Sequence, residues 1–140
     1  MTGILVDSCV ILDIMTEDPK WFDWAATILE KQARHNLLLI NPIIYAEISI
    51  GFRNIEELEA ALSTTFFKRM PLPWEASFLA SKAFLQYRKM SGHKTLPLPD
   101  FFIGAHAMIE GWSLLTRDIE RFQYYYPKLK IISPITEFVS

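Results

Sequence analysis

Four carboxylates in this sequence stand where chemistry is possible. Asp7 directly follows the apolar run Ile4-Leu5-Val6, and Asp118 follows Leu114-Leu115 with Thr116 and Arg117 between. If both runs are strands of an open parallel sheet, both side chains emerge at the carboxyl edge, where such sheets form their sites. Glu47, read on a helix from Pro42 to Ile50, shares a face with Ile43, Ala46 and Ile50. A carboxylate on an apolar stripe must be paired, protonated or bound to a cation, because burying it alone is costly. Asp100 opens a helix on the face of the small residues Gly104 and Ala107, which would let that helix approach the sheet closely. Each acid also has a plainer role. Asp7, Asp100 and Asp118 can cap helices, and Glu47 can pair with Arg53 or another base. Four acids at two strand ends and two helix faces are less readily explained by capping alone than by a shared site.

A cluster of that kind suits a hard cation such as Mg²⁺ or Mn²⁺, which takes carboxylates, waters and substrate phosphate as ligands. A water on such a cation loses a proton more easily and attacks phosphorus, and the cation stabilises the leaving oxygen, so no nucleophilic side chain is required. The three histidines and Cys9 have no zinc-ligand spacing. His35 falls in a turn, and His106 on its helix reads as a packed core histidine. With glycine only at 3, 51, 92, 104 and 111, neither glycine-rich nucleotide loop can be written.

The elements that must position these acids follow from periodicity and punctuation. Ile4–Val6 reads as a buried strand ending at Asp7. Asp18-Pro19 supplies a cap and a first helical position, followed by an apolar face of Trp21, Trp24, Ala25, Ile28 and Leu29. Leu37–Ile40 is a second strand, Asn41-Pro42 opens the next helix, and Asn54 with Glu57 caps another near 55–63. Phe66–Met70 is an edge strand, interrupted by Lys68 and Arg69. A long helix runs from Trp74 to Ser91 and stops at Gly92. Pro97-Leu98-Pro99 forces extended chain before a helix from Asp100 to Gly111. Trp112–Leu115 (strand), Asp118–Phe122 (short helix) and Leu129–Ile132 (strand) complete the chain. Strands alternating with helices predict an α/β fold, a parallel sheet covered on both faces.

The 140 residues, 51% hydrophobic and 14% aromatic, suit one domain with one core. No apolar run approaches the ~20 residues that cross a bilayer. No basic start precedes the first strand, and the single cysteine permits no internal disulfide, so a cytoplasmic protein is expected. The net charge of −2 is segregated: residues 1–63 carry ten acidic and four basic groups, whereas 64–94 carry six basic groups against Glu75 alone. That basic block is either a solvated helix face or a landing surface for a polyanion such as RNA.

The pieces ILVDSCVILDI, NPIIYAEI, LPLPDFFIGAHAMIEGWSLLTRDIERF and LKIISP, in this order, resemble the PIN-domain nucleases, and within them the VapC-type toxins of toxin–antitoxin pairs. The most specific are P-D-x-x-I-x-A-x-A over Pro99–Ala107 and L-T-x-D-x-x-x-F over Leu115–Phe122. The resemblance implies a three-layer α/β/α PIN-like domain over 1–140, Mg²⁺ or Mn²⁺ dependence, and endonucleolytic RNA cleavage. It makes Asp7, Glu47, Asp100 and Asp118 the metal-binding and catalytic acids, with Ser8 and Thr116 in support. It further implies a homodimer and an inhibitory antitoxin whose tail fills a groove, for which Trp21, Phe22 and Trp24 are candidate lining. Where the family often has Asn, two residues after the first Asp, this chain has Cys9, which cannot make the same amide hydrogen bonds. Arg88, Lys89, His93 and Lys94 flank the loop into Asp100 and are candidate RNA contacts; Arg117, beside Asp118, could meet phosphate or antitoxin. Two rivals are a phosphatase of the haloacid-dehalogenase type, which wants an Asp where Cys9 stands, and a catalytically silent PIN-like adaptor, which typically lacks one of the acids.

Overall fold

The apolar runs become strands, and every pairing between them is parallel. The computed structural model describes residues 2–62, 66–91 and 98–134. Along these the order is β1 (Thr2–Val6), α1 (Ser8–Met15), α2 (Phe22–Ala33), β2 (Asn36–Ile40), α3 (Pro42–Ser49), α4 (Ile55–Ala61) and β3 (Phe67–Arg69). Then come α5 (Trp74–Ser91), α6 (Leu98–Glu110), β4 (Ser113–Leu115), α7 (Ile119–Tyr125) and β5 (Ile131–Ile132). The expected stop at Gly92, the extended turn at Pro97, and His93 and Lys94 lie outside the described residues.

The sheet order is β3-β2-β1-β4-β5. Leu5 pairs with Leu39 on one side and Leu114 on the other, and all three are buried. Continuous burial along a strand, rather than alternation, is what a parallel sheet covered on both faces requires; here Ile4, Leu5, Val6, Leu38, Leu39 and Ile40 are all inside. Helices flank this sheet as an α/β/α arrangement, with α1 against α2 and α3, and α6 against α5 and α7. The chain builds outward from β1 through β2 to β3, then returns to place β4 on the other side of β1. The switch point of the topology therefore lies between β1 and β4, and there the crevice at the carboxyl ends opens.

Several boundaries differ from the expected ones for identifiable reasons. Asp18 does the capping chemistry, its carboxylate accepting from Lys20 N and Trp21 N at 2.9 Å, but regular helix begins only at Phe22. Helix α6 starts at Leu98, not Asp100: Pro99 fits a first turn, where its missing N–H costs nothing. Gly104 does not bring α6 against the sheet. It makes room for Tyr126, whose ring would lie 2.4 Å from a Cβ there and whose hydroxyl donates to Phe101 O at 2.7 Å. Gly111 ends α6 in the left-handed region (φ 72°) that favours glycine. Leu129 is buried but lies in a turn, so β5 is only Ile131–Ile132. No helix among the described residues is long and apolar enough to cross a membrane.

Candidate active site

Asp7 ends β1 and caps α1. Its Oδ1 accepts from Ser8 N at 2.8 Å, its Oδ2 from Thr116 Oγ1 at 2.8 Å, and its backbone N–H donates to Leu115 O across the β1–β4 pair. Burial raises its pKa, and these donors oppose the rise. Thr116, fully buried just past β4, also accepts from Asp118 N at 3.1 Å. One hydroxyl thus ties the acid at the end of β1 to the acid after β4. Cys9 stands where it can donate weakly to Asp7 Oδ2 at 3.5 Å and lies 3.7 Å from Thr116 Oγ1. Burial, then the charge of Asp7, push its thiol up to about 12, so it stays protonated.

Glu47 is half-buried and does not lie on the apolar stripe of α3. That stripe is Ile44 and Ile48, while Ala46 and Ile50 face solvent. Nor does Arg53 pair with it; Arg53 lies 3.6 Å from Glu57. Glu47 Oε1 instead accepts from Ser8 Oγ at 2.8 Å, which joins α3 to the start of α1 beside Asp7. Its pKa is raised by burial and by the nearby Asp7 charge, against the Ser8 hydrogen bond. The start of α3 is held by Asn41, whose Oδ1 accepts from Ile44 N and whose amide donates to His106 Nδ1 at 3.0 Å. Burial lowers His106 to about 4, which keeps it a neutral acceptor in the core, as its helical position predicted.

Asp100, in the first turn of α6, is buried, and burial lifts its pKa to about 7. Arg121 lowers it; the charges of Asp7, Glu47 and Asp118 raise it. Asp100 therefore lies within electrostatic reach of the other three predicted acids. Asp118 caps α7, its Oδ1 accepting from Arg121 N at 3.3 Å. The chain's own cation sits between the last two: Arg121 Nη1 is 2.9 Å from Asp100 Oδ2, and Arg121 Nε is 3.1 Å from Asp118 Oδ2.

A model for the PIN domain matches residues 4–126. The chain belongs to the PIN-domain family. Membership places it among nucleases that hydrolyse nucleic acid. Solved structures similar to this PIN domain include VapBC2 from Rickettsia felis bound to a DNA fragment from their promoter (TM-score 0.74, 19% identity, covering 95% of this chain and 98% of that one). VapBC-1 from nontypeable Haemophilus influenzae aligns with TM-score 0.70 at 21% identity over 95% and 98%. FitAcB from Neisseria gonorrhoeae aligns with TM-score 0.68 at 18% identity over 96% and 99%. At these identities the likeness is one of fold. No curated protein matches the chain.

The donors of this PIN domain fit a hard dication in chemistry: they are carboxylate oxygens, and Asp100 Oδ2 is buried without a hydrogen-bond donor. Among the described residues, no three Asp, Glu, His or Cys side chains are gathered as a ready metal nest, and Arg121 occupies the space between two of the acids.

Two residues of the PIN domain were missed in the sequence. Asp13 is buried on α1 and takes a two-toothed ion pair from Arg117, at 2.7 and 3.1 Å. Its signal was available: an acid within the apolar run VILDIM, the same argument applied to Glu47. Arg121 was also overlooked, although it lies three residues after Asp118 on a helix, where side chains meet. Arg117 is engaged by Asp13 and lies 5.2 Å from the Trp21 ring centroid, so it is not a free cation beside Asp118. Arg88 and Lys89 are exposed at the last turn of α5. Trp21 and Trp24 meet edge to face at 6.1 Å, both partly covered.

Proposed function

We propose that this PIN domain, as a single nuclease unit over residues 1–140, is a VapC-type toxin: an endoribonuclease dependent on Mg²⁺ or Mn²⁺. The observation that carries the reading is the chain of contacts at the β1–β4 switch point: Thr116 Oγ1 meets both Asp7 and Asp118 N, Ser8 Oγ meets Glu47, and Arg121 lies between Asp100 and Asp118. These four residues would hold the ion. When bound, it supplies an acidified water and offsets charge on the leaving oxygen.

The chain's own residues prepare the site. Thr116 fixes Asp7 Oδ2, and Ser8 fixes Glu47 Oε1, so two acids are oriented by neutral donors that add no competing charge. Asp100, lifted to about 7, accepts a cation more readily as it ionises. RNA would lie along the basic block, with Arg88 and Lys89 on α5 and His93 and Lys94 following in sequence as phosphate contacts. Such contacts offset the repulsion between RNA and the acids. Arg117 is the weakest of the proposed contacts because Asp13 already holds it.

Toxin–antitoxin complexes among the similar structures support an antitoxin partner. The resemblance to the VapC group supports a homodimer, and α5 offers an apolar surface for it: Trp74 is 89% and Phe78 67% exposed. The reading puts the protein in the cytoplasm, where such RNA is found.

The test is incubation of end-labelled total cellular RNA with the protein in Mg²⁺, Mn²⁺ or EDTA, beside Asp7→Asn and Asp100→Asn. Cleavage that requires metal and vanishes in both variants is expected. Cleavage that survives both substitutions would overturn the carboxylate mechanism, and binding without cleavage in every condition would favour the adaptor.

A further inference from the structure

We propose that Arg121 is a resident cation of the acid cluster, bridging Asp100 and Asp118 until a divalent ion displaces it. This rests on the four-acid reading above and adds a control element to it. The guanidinium engages two of the four acids that would hold a dication, at Asp100 Oδ2 (2.9 Å) and Asp118 Oδ2 (3.1 Å). A dication drawn to both acids would meet the guanidinium already there, and like-charge repulsion at that distance sets the two in competition.

Three features make Arg121 a replaceable occupant and not a permanent strut. Asp100 Oδ2, which faces Arg121 Nη1, and Arg121 Nε, which faces Asp118 Oδ2, are both buried, yet neither makes a well-directed hydrogen bond, so charge alone holds these two contacts. A fixed structural pair would show the aligned two-toothed geometry that Arg117 makes with Asp13. Second, the Arg121 side chain is 37% exposed, so it can swing to solvent without crossing the core. Third, its charge favours the ionised form of Asp100 and, as the smallest of the influences on them, those of Asp7 and Glu47. Without metal the acids repel one another, and Arg121 reduces that repulsion. With metal present, Arg121 becomes a competitor, and apparent affinity is the intrinsic affinity multiplied by the fraction of molecules in which it has left.

The experiment compares full-length wild type, Arg121→Gln and Arg121→Lys by Mn²⁺ binding, read from the loss of the free-ion electron paramagnetic resonance signal. Melting in EDTA and in Mn²⁺ is read alongside. Arg121→Gln should bind Mn²⁺ about tenfold more tightly if the open form is about a tenth of wild type, and it should melt lower in EDTA. Arg121→Lys keeps the charge but cannot reach both acids, and should fall between. Should Arg121→Gln not fold, the wild type answers alone: Mg²⁺ titration should shift the Arg121 Nε–H resonance in step with binding. Wild-type Mn²⁺ binding unchanged or weakened in Arg121→Gln, or a static Nε–H signal at Mg²⁺ saturation, would overturn the proposal while leaving the metal site intact. No Mn²⁺ uptake by any of the three proteins would overturn the metal reading beneath it as well.

Discussion

Arg117 donates through Nε and Nη2 to both carboxylate oxygens of Asp13, at 2.7 and 3.1 Å, and so locks the loop after β4 onto α1. The pair is asymmetric: the Asp13 side chain is 4% exposed and that of Arg117 31%. Removing Arg117 strands a buried carboxylate, whereas removing Asp13 leaves a guanidinium that can turn to water. Arg117→Ala should therefore destabilise by about 3 kcal/mol, and Asp13→Asn by about 1 kcal/mol. Urea unfolding of the two variants checks this, and the reverse order would show that the pair is not buried as described.

Thr116→Val removes one hydroxyl that serves two acids. Asp7 Oδ2 loses its strongest donor and Asp118 N its acceptor. A loss of about 1–3 kcal/mol in stability and about 10–100-fold in RNA cleavage is expected, with Thr116→Ser retaining most of both. Equal loss in the serine variant would mean that the methyl group, not the hydroxyl, matters.

The thiol of Cys9 should be inert. Raised to about 12, it holds very little thiolate at pH 8. Iodoacetamide should modify the native protein orders of magnitude more slowly than the urea-unfolded chain, as followed by mass. Rapid native labelling would place Cys9 in a wetter setting than that beside Asp7.

Stability should fall as pH rises through the range in which Asp100 ionises. Its folded pKa, about 7, exceeds the ordinary value of 3.8, so the folded state holds this proton more tightly than the unfolded one. The contribution is complete below about 4 and is lost by about 7, on the order of 4 kcal/mol at most. Asp7 and Glu47, also raised, act in the same direction. Asp100→Asn should flatten the slope of melting temperature against pH in EDTA. An unchanged slope would assign the effect to other groups.

Much of this was legible in the chain. Asp7 directly follows the apolar run Ile4–Val6 and Asp118 follows Leu114–Leu115 after Thr116 and Arg117, and the parallel-sheet rule alone sends both to one edge. Asn41-Pro42 and Asn54 state their helix starts through local cap chemistry, which needs only neighbours in sequence. Readings that depended on which face of a helix turns inward fared worse. Glu47 looked like part of an apolar stripe, because helical spacing names residues on a common face but not the angle at which the helix docks. That angle exposes Ile50 and delivers Glu47 to Ser8, 39 residues earlier. Gly104 could be seen as room for a close approach, but not that Tyr126 would fill it. Charge pairing was the least legible, since every lysine and arginine is a possible partner for every acid until distances are set. Packing of α1, α6 and α7 around the β1–β4 crevice is what gives Asp13 to Arg117 and puts Arg121 between Asp100 and Asp118. Local chemistry along the chain chose the acids and the elements that carry them; long-range packing chose their neighbours, because Coulomb energies depend on separations that no stretch of sequence contains.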